Sequence, residues 1–404
     1  MEILIGRQAI LDRQNKTFGY ELLYRESISK NESKTDLDGN TATSRVIVNA
    51  FLNLGIDKLA KKGRVFINFT RDLIIDRVWE MLPKEKVIIE VLEDVVAEEE
   101  ILKSLYDAKK RGYKIALDDF VFSEHLEELV KLADIIKVDF LELSKDEIIE
   151  EVRKYKKFNL ILLAEKVETE QDHKFALELG FKLFQGYYFT KPVIEQKREL
   201  APYQANILKA LKVVNDPNSE IEDLIDIVSS DLYLNTKLLS MINSPYFGIK
   251  TSVKTAKKAI SLLGYKKTKE WLNILLISKL VEDKPQELAV ISTVRARFSK
   301  LLSEPLELDE DDAYYLGLYS LIDTILSVKI EQIINELNFL EKEVKDALLG
   351  KKNPYRELLN FIINFENGDF DKAEEFIKKH KLDKENINTL YIDAIQFADS
   401  IYYS

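Results

Sequence analysis

The chain has no cysteine among its 404 residues. Disulfides, iron–sulfur clusters, thiolate zinc centres and cysteine nucleophiles are therefore excluded. Histidine is almost as scarce, with only His125, His173 and His380 present, so a histidine-rich metal hydrolase is excluded as well. No apolar run reaches the ~18–20 residues that a membrane-spanning helix requires. The start, Met-Glu-Ile-Leu-Ile-Gly-Arg-Gln, lacks a basic region followed by an apolar stretch, and a cytoplasmic protein without membrane association is expected. Basic excess is missing too. A formal net charge of −11 argues against duplex DNA as a partner, because such binding rests on neutralising phosphates. An anionic substrate would need metal ions or a local basic cluster.

What is present is a globular composition, 46% hydrophobic and 32% charged, in a chain long enough for two or three domains with real cores. Within its first half, acids stand at the ends of short apolar runs: Glu21, Glu93, Asp118, Asp119, Asp139 and Glu165. A closed parallel barrel gathers all its strand ends at one mouth. A ring of oxygen ligands there suits hard divalent cations and phosphate chemistry.

Strand-like runs fall at 3–11, 18–24, 65–69, 87–92, 114–118, 134–139, 160–164 and 182–189. Between most of them lie helix-period stripes, such as Val46-Ile47, Ala50-Phe51 and Leu54, or Ile101-Leu102, Leu105 and Ala108. Gly63, Gly112 and Gly180 each stand where a helix should stop and a strand begin. The pattern predicts an α/β first domain, a (β/α)8-type TIM-like barrel. The link Arg13-Gln14-Asn15-Lys16 is too short for a crossover helix, so the first two strands should form an antiparallel hairpin. Beyond Lys191-Pro192 helical periodicity takes over and predicts an all-α second domain. The expected domains are 1–195 and 200–404, joined near Val193–Leu200. The last stretch should form helices over 354–366, 370–379 and 385–402.

These residues carry a resemblance. The first domain resembles the EAL domain, a bacterial cyclic-di-GMP phosphodiesterase fold. The matching strings are Tyr20-Glu21-Leu22-Leu23-Tyr24-Arg25, Phe66-Ile67-Asn68-Phe69, Glu90-Val91-Leu92-Glu93 and Leu117-Asp118-Asp119-Phe120. They continue with Ile136-Lys137-Val138-Asp139, Ala164-Glu165-Lys166-Val167-Glu168 and Phe184-Gln185-Gly186-Tyr187-Tyr188-Phe189. The second domain resembles the HDOD domain through Ser230-Asp231-Leu232-Tyr233-Leu234, the run from Leu238 to Gly248, and Ala259-Ile260-Ser261-Leu262-Leu263-Gly264. HDOD domains are related to HD metal phosphohydrolases but lack their His-Asp ligands.

The resemblance implies two Mg2+ or Mn2+ ions. Glu21, Asn68, Glu93 and Asp118 would hold one, and Asp118, Asp119 and Glu165 the other. Lys137 would orient or help deprotonate the attacking water, Gln185 would help place it, Glu168 would brace the site, and Arg25 would face the substrate phosphates. The chemistry would be two-metal phosphodiester hydrolysis. The chain also departs from the family. Active members follow Asp-Asp-Phe with the glycine-rich loop Gly-Thr-Gly-Tyr-Ser-Ser, where this chain has Phe120-Val121-Phe122-Ser123-Glu124-His125. In the family that loop orders the second metal and a dimer contact, so both the second ion and homodimerisation are left open. Lys166 replaces a glycine, Leu22 an alanine, and Ala9 a proline.

Plainer readings stand beside these. Lys137 could merely pair with Asp139 or Asp119, and Glu98-Glu99-Glu100 and Asp309-Glu310-Asp311-Asp312 read as acidic helix starts. His125 and His173 read as surface helix residues. The expectation is a cyclic-di-GMP-related signalling regulator with weak or no hydrolysis, coupled to a non-catalytic HDOD domain that docks a protein partner. The alternative is an active metal-dependent phosphodiesterase giving the linear dinucleotide.

Overall fold

Eight short β-type runs, each ended by glycine, acid or turn residues, close into one barrel in the computed structural model, which describes residues 3–26, 55–189, 201–243, 249, 251–281 and 284–403. The strands are β1 (Ile3–Asp12), β2 (Thr17–Glu26), β3 (Arg64–Phe69), β4 (Val87–Val91), β5 (Lys114–Leu117), β6 (Ile135–Asp139), β7 (Ile161–Glu165) and β8 (Leu183–Phe184). They close in the order β1-β2-β3-β4-β5-β6-β7-β8. β1 and β2 form the expected antiparallel hairpin, with Gln8 opposite Glu21. From β2 to β8 every pairing is parallel, and β8 returns antiparallel to β1.

The parallel strands are largely apolar on both faces, as a sheet covered by helices requires, apart from polar residues such as Glu90, Lys137 and Glu165 nearer the mouth. β4 is buried at all five positions. The inner face begins with a floor of Ile10, Phe66, Ile88, Ala116, Ile135, Leu163 and Leu183, which fills the barrel and leaves no pore. The helices Glu99–Arg111 and Glu170–Leu179 end at Gly112 and Gly180, both at positive φ, as expected. Gly63 instead lies past the end of a short helix, Ile56–Leu59, whose cap is Ala60. The stripe from Val46 to Leu54 and the linker Val193–Leu200 lie outside the described residues.

The chain divides into two compact units, Met1–Phe189 with Asn364–Asn388, and Thr190–Ile363 with Thr389–Ser404. The sequence reading placed all of 200–404 in one domain, whereas here Asn364–Asn388 packs with the barrel. In that unit the Ile5 N–H donates to Asn388 Oδ1 at 3.2 Å.

The second unit is helical, as expected. Its longer helices include Pro202–Asn215, Tyr265–Leu280, Glu287–Ser303 and Glu310–Tyr319. All three histidines fall in the first unit, so this one contains no imidazole at all. Its centre holds instead a closed polar network. The Asn215 and Asn273 amides bond each other at 2.7 and 3.1 Å, while the Tyr315 and Tyr319 hydroxyls donate to them at 2.8 and 2.7 Å. Asp309 caps the helix Glu310–Tyr319, accepting from the Asp311 and Asp312 N–H groups, so that acidic run is a helix start. Among the described residues no helix is long and apolar enough to cross a membrane.

Candidate functional site

Side chains alternate along a strand, so the residue two places from each floor residue toward the mouth also points inward: two places on in β3 to β8, and two places back in β1, which runs the opposite way. That rule yields Gln8, Asn68, Glu90, Asp118, Lys137, Glu165 and Gln185, with Glu21 opposite Gln8. Lys137 is the centre of this layer and is only 1% exposed. Its ammonium lies 2.7 Å from Asp118 Oδ1, 2.7 Å from Glu165 Oε1 and 3.5 Å from Glu21 Oε2, and it also pairs with Glu90. Gln185 Nε2 donates to Glu21 Oε2 and to Gln8 Oε1, each at 2.7 Å.

The electrostatics follow from crowding acids in a dry place. Burial pushes the Glu90 carboxyl well above the ordinary range; Lys137 pulls it down, and Glu21 and Asp118 add to the rise. Glu165 is raised in the same way, by burial first and by Asp118, Glu21 and Glu90 against Lys137. Burial disfavours the Lys137 ammonium, but its ring of carboxylates outweighs that and holds its pKa well above the lysine range. Asp119 is raised by burial and by Asp118. Four carboxylates face one ammonium, a formal negative excess that a bound cation would relieve.

The donor set fits a hard divalent cation. Asp118, Asp119 and Glu165 bring carboxylate oxygens within 4.8 Å of one another. Asn68 Oδ1, Glu90 Oε2, Asp119 Oδ1 and Gln185 Oε1 are buried and accept no hydrogen bond. Buried acceptors are nearly always satisfied, and oxygen-only ligands are what magnesium, manganese or calcium prefer.

Most of the expected site residues meet here: Glu21, Asn68, Asp118, Asp119, Lys137, Glu165 and Gln185. The plain alternative for Lys137 does not hold, because its partners are Glu21, Glu90, Asp118 and Glu165. Glu93 stands apart. It lies beyond the end of β4, exposed, its carboxyl raised by desolvation and then by Asp119 and Asp118. Glu90, wholly buried, occupies the inward position that the sequence reading gave to Glu93. The signal was available: in Val-Ile-Ile-Glu-Val, Glu90 keeps the parity of Ile88, while Glu93 does not. Glu168 is half-buried just before Thr169, the cap of the helix Glu170–Leu179. Arg25 lies in β2 opposite Leu4; its side chain falls outside the described residues. His173 is a correction. It is buried and stacks on Tyr188 at 5.1 Å, with Phe184 and Phe189 edge-on, so it is a core residue, whereas His125 is exposed.

The segment after β5 is pinned by aromatics. The Phe122 ring lies 6.1 Å from those of Tyr155 and Phe158, its N–H donates to Glu151 Oε2 at 2.8 Å, and the Tyr155 hydroxyl donates to the Phe120 carbonyl at 2.8 Å. Val121 remains 54% exposed. At the other side of the mouth, Gly186 has φ 144°, and a Cβ there would stand 2.4 Å from both the Val167 nitrogen and oxygen. Only glycine lets the end of β8 approach so closely.

A barrel with this acid layer, joined to a helical unit without imidazole, defines an EAL-type barrel coupled to an HDOD-type helical domain. The family comparisons agree. The EAL domain matches residues 33–192 and the HDOD domain residues 200–346. The YuxH protein of Bacillus subtilis is 33% identical over 99% of this chain and 99% of its own length. A Vibrio cholerae protein named cyclic di-GMP phosphodiesterase CdgJ is 31% identical over 98% of this chain and 92% of its own. A solved Klebsiella pneumoniae protein, BlrP1 with calcium and cyclic di-GMP, is 23% identical over 47% of this chain and 56% of that one, with a TM-score of 0.40. The chain belongs to the EAL–HDOD family.

Proposed function

We propose that this protein is a cyclic-di-GMP signalling regulator whose barrel binds a divalent cation and the dinucleotide with weak or no turnover, and whose HDOD domain docks a protein partner. The observation that carries the reading is the contrast within one mouth. The acid layer around Lys137 has buried oxygens to spare, while the segment Phe120–Glu124 is packed down by Phe122 against Tyr155 and Phe158.

Glu21, Asn68, Glu90 and Asp118 would hold an ion, magnesium or manganese, with Asp119 and Glu165 on the other side of Asp118. Such an ion neutralises phosphoryl charge and lowers the pKa of bound water. Lys137 gathers the four carboxylates around one ammonium and partly offsets their rise in pKa, Gln185 holds Glu21 in place, and Arg25 is assigned to the phosphates. Where active relatives have glycines, Val121 and Phe122 resist the backbone conformations such a loop uses. Domain boundaries near 195 and 200 belong to the same proposal, with Asn364–Asn388 returning to the barrel. The absence of histidine from the helical unit supports a non-catalytic helical domain.

The second reading, efficient hydrolysis, is favoured by the name of the CdgJ relative and by the preserved acid set. One experiment separates them: calorimetric titration of cyclic-di-GMP into the full chain with Mn2+, followed by chromatography of the same sample. Heat without linear dinucleotide supports the regulator. Rapid metal-dependent product, abolished by Glu21→Ala, overturns it in favour of an enzyme, and neither heat nor product removes the nucleotide from the account.

A further inference from the structure

Directly after β7, Lys166 adopts φ 52°, a left-handed backbone in which a side chain other than glycine is disfavoured. Its side chain turns back across the mouth. The ammonium pairs with Asp139 and lies 3.6 Å from Asp119 Oδ2. Asp139 is fixed from the other side, since its Oδ1 accepts the Leu141 and Glu142 N–H groups at 2.6 and 3.0 Å.

Asp119 is shared between two groups of acids. One is Asp118, Asp119 and Glu165; the other is Asp119, Asp139 and Glu142, each with ligand oxygens within 4.8 Å of one another. Asp119 itself has φ 43°, which presents its carboxyl to both. Two tethered ammonium groups therefore serve the mouth, Lys137 beneath the inner acids and Lys166 against the outer ones. A flexible surface lysine would not need a strained backbone position to reach solvent, and this one reaches a carboxylate that is only 3% exposed.

We propose that Lys166 is a built-in cation for the outer half of the acid cluster, standing in for a second divalent ion, so that the site takes a single ion. The ammonium neutralises Asp119 and Asp139 and repels a dication from the oxygens nearest to it. This also gives a physical reason for weak turnover, because a two-ion displacement needs both charges placed on the phosphoryl oxygens. The inference rests on the reading that the barrel mouth binds divalent metal.

The test is Mn2+ stoichiometry on the full chain, from the electron paramagnetic resonance signal of free Mn2+ in equilibrium dialysis. The wild type should bind one ion. Lys166→Gly, which also suits the left-handed backbone, and Lys166→Gln should each bind one more than the wild type, while Lys166→Arg should match it. Should Lys166→Gly fail to fold by circular dichroism, Lys166→Gln decides alone. Equal stoichiometry in wild type and charge-removing variants overturns the inference and leaves single-ion binding intact. Two ions in the wild type overturn it as well. No binding in any of the proteins removes both this inference and the metal reading beneath it.

Discussion

Removing the Lys137 ammonium should unfold the barrel's acid layer unless a metal replaces it. In Lys137→Met the stem keeps its length and apolar packing, but Glu21, Glu90, Asp118 and Glu165 lose their common cation. Breaking a buried ion pair by removing one partner costs about 3–5 kcal/mol, because the survivor is left charged and dry. Four acids share the loss here, yet they can also take up protons, so that range is the expectation for the whole layer at pH 8 without metal. For a domain of this size it corresponds to a fall in the barrel's Tm of roughly 6–20 °C. The pH dependence has a definite sign. Glu90 and Glu165 have folded pKa values raised above the unfolded ones, so the neutral forms favour the folded state and the destabilisation shrinks as pH falls toward 5. Excess Mn2+ should narrow the gap further, because the acids freed of the ammonium bind the ion more tightly in the variant than in the wild type, and each tenfold ratio of Kd values is about 1.4 kcal/mol. Calorimetry of wild type and variant, with EDTA or Mn2+, at pH 8 and pH 5.5, makes all three comparisons. A fall of less than about 3 °C in EDTA at pH 8, a value within the range of a surface substitution, would refute the idea that Lys137 neutralises a buried acid layer.

The remaining predictions are briefer. Glu90→Gln should weaken Mn2+ binding by about 10–100-fold, as loss of a liganding or supporting carboxylate does, whereas Glu93→Gln should change it less than about threefold; equal effects would return the ligand role to Glu93. Gly186→Ala should disrupt the join of β8 to Val167, because its Cβ meets backbone atoms at 2.4 Å, at a cost of about 3 kcal/mol or more, seen as a lowered barrel Tm and lost Mn2+ binding. In the helical unit Asp312 is pushed up to about 6 by burial first and by Asp309, so its contribution is present in acid and lost as pH rises from about 4 through 6. Asp312→Asn should therefore stabilise that unit at pH 7.5 by about 1 kcal/mol after allowance for solvent screening, and should have little effect at pH 4. Should the stabilisation be larger at pH 4, the sign of that argument is wrong.

How much of this was legible in the sequence follows from what each signal measures. Eight apolar runs interrupted by acids and glycines were enough for the barrel, because a strand buried on both faces is apolar over most of its length, and because four residues cannot cross from Asp12 to Thr17 by a helix. Asp118 and Glu165 could be read since each ends its run, and Glu21, which lies inside β2, was read from the string Tyr20-Glu21-Leu22-Leu23-Tyr24-Arg25. Glu90 was passed over because it lies inside its run, at a position where burial of a carboxylate looks forbidden until Lys137, 47 positions later in the chain, is seen beneath it. His173 was misread for the complementary reason. The helical pattern around it is weak, and the aromatics that bury it, Phe184, Tyr188 and Phe189, arrive from a different element. The return of Asn364–Asn388 to the barrel is a long-range packing event, and periodicity within a helix carries no information about which core the helix joins.

The same logic bears on how the two substitutions at the mouth act together. A glycine-free segment pinned by Phe122 follows β5, and a lysine in place of glycine stands at 166 after β7, with β6 between those strands; both meet at Asp119. The first fixes the backbone that presents Asp119, and the second supplies the charge that Asp119 faces. Restoring glycine at 166 alone would free oxygens for an ion while leaving Asp119 held by the packed loop. Reopening the loop alone would leave the ammonium against it. Recovery of strong phosphodiesterase activity should therefore require both changes, with a coupling between them larger than the ~0.3–0.5 kcal/mol expected of independent sites. A double-mutant cycle on Lys166→Gly and a Phe122→Gly loop, read as initial rates of cyclic-di-GMP hydrolysis with Mn2+, measures that coupling directly, and additive effects would show that the two departures act on separate steps.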